Sequence, residues 1–265
     1  MYQYKISPKL IELDLNNVHK YCHKDNRFLS FFMFSMSTLF PVGESNFITL
    51  ANLIKSRITN SDKKKQIDLF VEQEKNHQKI HKKYNDQILK NISCLRFINK
   101  RELFIKKLTK SYFRRNKNNY SLFAYRLYIS EKYSEAVGLW FLDINSEFLP
   151  EEKKLWTWHS YEEIEHNFLS GELLSNYTPP SKLSILNMKL KITSWFIEIF
   201  MRTIVFSYKD GLFKNFYFYK DIFRFFFTYK YFPKLFIYII KTILFGQELA
   251  NKEKYFQKLI AKQSS

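Results

Sequence analysis

The sequence predicts an all-α protein built around a bundle of four helices, and two observations support this prediction. Glycine and proline are scarce, at 5 and 6 of 265 residues, and no stretch alternates apolar and polar residues cleanly enough to form a set of strands. Four of the six histidines lie in two segments in which glutamate and histidine recur at the spacing of a helical turn. A chain of this length can bury a full core, as one large domain or as a domain with an appendage.

The first two helices are marked by a break and by a capping cluster. An apolar run over residues 28–40 meets a break at Pro41-Val42-Gly43, after which a helical pattern resumes over residues 44–54. Asn60-Ser61-Asp62 is a good N-cap cluster. The next helix is therefore expected to begin there and to continue to about residue 89.

The later helices are separated by a polar run and by prolines. A shorter helix is expected around residues 101–113, and another over residues 120–145. Pro150-Glu151-Glu152 opens a further helix that ends near residue 175, because a proline in the first turn and acids near the positive end of the helix dipole favour a helix start. Thr178-Pro179-Pro180 then ends the region sharply.

These signals divide the chain into three regions. Residues 1–27 form a polar N-terminal lead-in, residues 28–177 a metal-binding helical bundle, and residues 178–265 a basic, aromatic-rich C-terminal helical extension. Residues 181–265 carry 15 basic against 5 acidic side chains, a net charge of +10. The apolar run over residues 236–245 is too short to span a bilayer. We expect the extension to cap the bundle and close a hydrophobic pocket; the alternative is docking on anionic membrane lipid.

Two Glu-x-x-His pairs carry the chemistry of the chain. A four-helix bundle that binds two metals takes such a pair from each of two helices, and a lone inward glutamate from each of the other two. Glu74 with His77 and Glu163 with His166 supply the pairs. A single pair of this kind is usually a solvated ion pair, but two pairs with further histidines nearby favour a metal site. The predicted ligands are Glu44, Glu74, His77, Glu131, Glu163 and His166.

Two more histidines extend the same helical faces. His81 and His159 lie one turn further along and are either additional ligands, which we slightly favour, or groups that orient the carboxylates. Glu162 competes with Glu163, because it is four residues from His166 and three from His159. Symmetry with the first pair favours Glu163.

Three longer motifs surround these residues. Residues 37–47 read STLFPVGESNF, residues 73–85 read QEKNHQKIHKKYN, and residues 158–166 read WHSYEEIEH. They resemble the S-x-x-FP-x-GE-x-x-F, QE-x-x-H-x-x-x-H-x-x-YN and WH-x-x-EEIEH motifs of a bacterial family of predicted metal-dependent hydrolases. Glu131-Lys132-Tyr133-Ser134 fits that family's E-H-F-T helix less closely, because lysine stands where histidine is common. The resemblance covers about residues 30–175.

The resemblance implies a ferritin-like four-helix bundle with additional C-terminal helices, and a metal-dependent hydrolase. Carboxylate and imidazole ligands without thiolate suit two divalent iron or manganese ions, with zinc as an alternative. Because such sites commonly activate oxygen, a ferritin-like di-iron or dimanganese oxidase or oxygenase acting on an apolar substrate is the second hypothesis. A metal-binding bundle without turnover is the third. No catalytic residue is predicted.

Charge and cysteine usage limit the partners and the cellular compartment that the sequence predicts. The net charge is +18, but lysine outnumbers arginine roughly four to one and the arginines are dispersed, so no nucleic-acid partner is expected. We expect a small-molecule substrate, apolar or acyl. Cys22 and Cys94 are far apart and form no CxxC pattern, which argues against a disulfide framework and a thiolate metal site and fits a reducing compartment. The N-terminus lacks the continuous apolar core of a signal peptide, so the predicted location is cytoplasmic, with peripheral membrane contact as the alternative.

Overall fold

The computed structural model describes residue 8 and residues 10–244 of the chain. Within this part the protein has eight α-helices, three short 3-10 helices and no strand beyond an isolated bridge between His23 and Phe148. The predicted all-α class is therefore confirmed. The α-helices are α1 (Arg27–Lys55), α2 (Ser61–Leu89), α3 (Leu95–Arg115), α4 (Tyr120–Ile144), α5 (Pro150–Leu174), α6 (Lys182–Lys209), α7 (Phe216–Phe227) and α8 (Phe232–Leu244).

Four long helices pack together as two pairs. Helix α1 packs along α2 and helix α4 along α5, and the pairs meet through contacts of α1 with α4 and of α2 with α5. The short connection within each pair makes its two helices antiparallel neighbours. Helix α3 links the two pairs and packs against α1. The inward faces of α1, α2, α4 and α5 therefore surround one common interior.

The helix starts follow from the capping residues. The side chain of Asn60 accepts a hydrogen bond from the backbone N–H of Lys63, and that of Asn119 accepts one from Leu122, at 2.9 Å in both cases. Each satisfies a first-turn donor that has no partner within the helix. Pro150 occupies the first turn of α5, as its sequence predicts.

The break predicted at Pro41 is wrong, because α1 continues through it without interruption. A proline inside a helix removes the N–H that would bond to the carbonyl four residues earlier, here that of Ser37. The side chain of Asn85 on α2 donates to this carbonyl instead, at 2.9 Å. The guanidinium of Arg202 on α6 donates to the next carbonyl, that of Thr38, at 3.1 Å. Neighbouring helices thus satisfy the oxygens around the proline. The predicted helix over residues 101–113 is also longer than expected, since α3 covers Leu95–Arg115.

The C-terminal helices cover one side of the bundle. Helix α6 packs against α1 and α4, helix α7 against α1, and helix α8 against α4. Phe206, Phe218 and Phe225 from these helices lie in the same hydrophobic core as Phe28 and Phe32 of α1. The division at residues 177 and 178 stays a prediction. Residues 1–7 and 9 of the predicted lead-in and residues 245–265 of the predicted extension lie outside the described residues.

Candidate metal centre

The interior between α1, α2, α4 and α5 contains all eight predicted ligands. Each of these side chains is at most 3 % exposed. Helix α1 supplies one, α2 three, α4 one and α5 three. They are Glu44 on α1, Glu74, His77 and His81 on α2, Glu131 on α4, and His159, Glu163 and His166 on α5.

Two imidazole nitrogens each face three carboxylates. The Nδ1 atom of His166 lies 3.0 Å from Glu74 Oε1, 3.6 Å from Glu131 Oε2 and 3.7 Å from Glu163 Oε2. These four residues form the His166 group, whose potential ligand atoms lie within 4.8 Å of one another. The Nδ1 atom of His77 lies 3.5 Å from Glu163 Oε1, and 3.9 Å from Glu44 Oε1 and from Glu74 Oε2.

The second set of potential ligands centres on His77. One group of atoms within 4.8 Å consists of Glu44, Glu74 and His77, and an overlapping group consists of His77, His159 and Glu163. We call these five residues the His77 group. Glu74 and Glu163 belong to both the His77 group and the His166 group, so they lie between the two sets. A further overlapping group joins Glu44, His159 and His81.

Many of these atoms form no well-aligned hydrogen bond among the described residues, although His166 Nδ1 and Glu74 Oε1 are within ion-pair distance. A buried polar atom without a partner is costly, and several such atoms converging on one interior would be satisfied by a cation. The residues present therefore fit a metal ion. The unpartnered atoms are both carboxylate oxygens of Glu44, Glu74 and Glu131, Oε2 of Glu163, and Nδ1 of His77 and His166.

Burial and mutual repulsion perturb the carboxyl groups. Burial raises the pKa of Glu44 and Glu131 well above the ordinary glutamate value, and neighbouring carboxylates raise it further. Burial also raises the pKa of Glu74 to about 7, against the opposing effect of His166. Burial alone would raise the pKa of Glu163, but the surrounding histidines together lower it to about 2.

The imidazoles divide into neutral rings and one charged ring. Burial lowers the pKa of His77 and His159 to about 3, and it also lowers that of His81. These rings are neutral near pH 7, which is the form that binds a metal. Burial opposes a charge on His166 too, but the three carboxylates facing it raise its pKa well above the ordinary value. In the metal-free protein its proton therefore supplies positive charge among them.

An outer layer of polar side chains fixes two of these rings. His166 Nε2 donates to Gln73 Oε1 at 3.1 Å, and the amide nitrogen of Gln73 donates to Glu165 at 3.1 Å. His77 Nε2 donates to Glu162 Oε2 at 2.8 Å. Each bond directs the Nδ1 atom of its ring at the carboxylates. Glu163 thus lies among the converging atoms, whereas Glu162 contacts the opposite nitrogen of His77.

A second chain of hydrogen bonds fixes His81. The hydroxyl of Ser37 has one proton, which it donates to Asn85 Oδ1 at 2.6 Å, so it accepts from His81 Nδ1 at 2.8 Å. His81 Nε2 is then an acceptor, and His159 Nδ1 lies 3.3 Å from it. His159 therefore donates its Nδ1 proton and keeps a lone pair on Nε2, which lies 3.2 Å from Glu163 Oε1.

Sequence reasoning named the converging residues but missed this outer layer. The signal was present, because Ser37, Gln73, Asn85 and Glu165 all fall inside the three motifs. The family described as "Predicted metal-dependent hydrolase" matches the chain over residues 7–258. The chain belongs to this family. No curated protein and no solved structure matches the chain.

The family name and the buried interior both imply metal dependence. A cavity beside the candidate ligands has room for a small molecule. The cavity has a volume of about 120 Å³ and lies between α1, α4, α5 and α6. Glu44, His159 and Glu163 form part of its wall. Much of the remaining wall is apolar and includes Phe40, Trp156 and the α6 residue Trp195. A cavity of roughly this size in a protein interior accepts a molecule such as benzene.

Proposed function

We propose that this protein is a metal-dependent hydrolase with a dinuclear metal centre inside a ferritin-like four-helix bundle. The observation that carries the proposal is the convergence of unpartnered carboxylate and imidazole atoms from four helices on one buried interior. The family name supports hydrolysis. The pattern of one Glu-x-x-His pair on each of α2 and α5, with one inward glutamate on each of α1 and α4, supports the ferritin-like arrangement.

The charges favour two divalent ions. Glu44, Glu74, Glu131 and Glu163 supply four negative charges when ionised, and two divalent ions supply four positive charges. The histidine ligands are then neutral, and the two ions balance the charge of the four converging carboxylates. Carboxylate and imidazole donors without thiolate suit iron or manganese, and zinc is the alternative.

The overlap of the ligand groups suggests how the ions are shared. Glu131 and His166 would hold one ion, and Glu44, His77 and His159 the other. Glu74 and Glu163 belong to both groups and would help to hold both ions. The Nδ1 proton of His81 is held by Ser37, and its Nε2 accepts from His159. His81 therefore orients His159 in this assignment and is not itself a ligand.

The chain's own residues would bind and orient the substrate. Bound divalent ions would supply Lewis-acid chemistry, polarising a substrate oxygen and activating water. Glu44, His159 and Glu163 are the ligands that border the cavity, so the reacting group would lie beside them. The aromatic wall would hold an apolar or acyl part of the substrate and exclude bulk water.

An oxidase or oxygenase acting on an apolar substrate is the second candidate. The four carboxylates and the apolar cavity wall favour it, because ferritin-like di-iron and dimanganese proteins use a carboxylate-rich set. A metal-binding bundle without turnover is the third candidate. An aromatic-lined cavity at the ligands counts against storage alone.

One pair of measurements separates these functions. The full chain is loaded with Fe(II) without oxygen and then exposed to air while oxygen uptake and the visible spectrum are followed. In parallel, the protein loaded with Mn(II) or Zn(II) is assayed against short acyl esters and phosphoesters. Cleavage without oxygen uptake, lost in Glu163→Gln but not in His23→Gln, is the result that we expect. Oxygen uptake without cleavage would indicate the oxidase or oxygenase. The absence of both oxygen uptake and cleavage would indicate a metal-binding bundle without turnover.

A further inference from the structure

Helix α7 is apolar on two opposite sides. Its inner side packs on the core, where Phe225 contacts Phe28 and Phe32 with ring centroids 5.1 and 4.9 Å apart. Phe218 on the same side is fully buried. The inner side therefore fixes the helix to the protein, and the outer side is presented on a rigid support.

The outer side of α7 exposes large aromatic rings. Phe216, Phe223 and Phe227 are 84, 62 and 71 % exposed. Their spacing of seven and four residues places them on one helical face. The rings of Phe223 and Phe227 stack at 4.6 Å, so they form a continuous surface. Exposed aromatic patches of this kind mark interaction sites.

Basic side chains are interleaved with these rings. Lys220 and Arg224 are exposed and share the spacing of the aromatic residues. The only acid in residues 211–241 is Asp221, which is buried and paired with Arg27 at 2.7 Å. No acidic side chain of this stretch compensates the surface charge. We call this surface the α7 outer face, formed by Phe216, Tyr217, Lys220, Phe223, Arg224 and Phe227.

The positive charge of this face indicates what kind of partner it binds. The last segment of the chain, residues 245–265, carries four lysines and two glutamates, and a second copy would bring the same cations face to face. Repulsion between like charges therefore disfavours both the last segment and a second copy as the partner of this face. Nucleic-acid sites favour arginine, and this face has only one. Aromatic rings at the level of lipid headgroups, with lysine and arginine beside them, are typical of peripheral membrane binding.

We propose that the α7 outer face docks the protein on an anionic membrane surface. The aromatic rings enter the headgroup region and the basic side chains contact the lipid phosphates. No helix among the described residues is long and apolar enough to cross a bilayer. The proposal concerns α7 and stands apart from the reaction at the metal centre.

Flotation of the full chain with lipid vesicles tests this proposal. We expect binding to phosphatidylglycerol-containing vesicles at low salt and little binding to pure phosphatidylcholine. Phe223→Ser/Phe227→Ser should weaken the partition by about tenfold or more, because two exposed rings lose their apolar burial. Lys220→Gln/Arg224→Gln should weaken it by on the order of 30-fold, since each basic residue near the surface contributes about a factor of five.

Helix α3 offers a matched control, because it also exposes apolar and basic side chains. Phe104→Ser/Leu108→Ser and Lys107→Gln/Lys110→Gln should bind vesicles like the wild type. Circular dichroism checks that every variant is folded. The proposal is overturned if the wild type does not float, if the α7 variants float unchanged, or if the α3 variants lose binding equally. Binding of single-stranded DNA through the α7 outer face, with no binding of vesicles, would also overturn it.

Discussion

At the scale of single residues, the centre depends on side chains that direct the histidines. Ser37 and Asn85 hold His81, which holds His159, and Gln73 holds His166. Groups that orient ligands typically change metal affinity by 10- to 100-fold. The first motif segment therefore acts on the centre through hydrogen bonds as well as through Glu44.

Removing the Ser37 hydroxyl should weaken metal binding. Ser37→Ala leaves the Nδ1 proton of His81 without an acceptor, so the His81–His159 pair loses its orientation. We expect a loss of affinity of about tenfold or more, measured by competition with a chelator of known affinity. Ser45→Ala, an exposed serine on the same helix, is the control and should bind like the wild type. Equal affinity of all three proteins would contradict the orienting role.

Metal binding should also release protons. Glu74 has a pKa of about 7 in the metal-free protein, and the pKa values of Glu44, Glu131 and His166 are raised. Glu74 and His166 hold protons near neutral pH that a cation must displace, and the raised pKa values of Glu44 and Glu131 act in the same direction, so affinity should rise as pH rises from 5 to 8. His77 and His159, with pKa values of about 3, release none in this window. Calorimetry in buffers of different ionisation enthalpy measures the release. An affinity independent of pH would contradict this charge assignment.

At the scale of elements, sequence predicted most helices because their signals are local. Asn60 and Pro150 mark helix starts that the structure contains. The continuity of α1 through Pro41 could not be predicted in the same way. The donor that satisfies the freed carbonyl of Ser37 is Asn85, on another helix and 48 residues away. The choice between Glu162 and Glu163 likewise depends on how α5 faces α2.

The role of Asn85 can be tested by a double-mutant cycle. Asn85→Ala leaves the Ser37 carbonyl without a donor and should destabilise the metal-free protein by about 1–3 kcal/mol. In a Pro41→Ala background the restored N–H can donate to that carbonyl, so the same substitution should cost less. Urea denaturation measures both values. Identical values in the two backgrounds would show that Asn85 does not compensate for the proline.

Substitutions at two glycines test the contact between α4 and α5. A Cβ at Gly138 would lie 3.1 Å from the backbone oxygen of Ser160, which follows the proposed ligand His159 in the chain. Gly138→Ala should therefore push the helices apart and destabilise the protein by about 1–3 kcal/mol. Gly171→Ala is the matched control, because its Cβ would meet Tyr128 at an ordinary 3.7 Å. Thermal denaturation should show no loss for the control. A stable Gly138→Ala protein would argue against this close approach.

At the scale of the whole molecule, four helices bring the eight residues predicted as ligands together in one buried interior, and the C-terminal helices cover one side of the bundle. Sequence reasoning named these ligands, because the helical spacing of glutamate and histidine requires no knowledge of distant contacts. It also predicted that the C-terminal extension closes a hydrophobic pocket, but it could not give the residues that line the cavity, since these depend on how α6 packs on α1 and α4. The four negative charges of the converging carboxylates then predict two divalent ions.

Metal content is the measurement that tests the central claim most directly. The full chain is produced with iron, manganese and zinc supplied, and its bound metals are measured by mass spectrometry. We expect about two divalent ions per chain, with the content falling sharply in Glu74→Ala and His166→Ala. His23→Gln, a change at a buried histidine outside the centre, should leave it unaltered. A wild-type protein that contains no metal after this treatment would contradict the account.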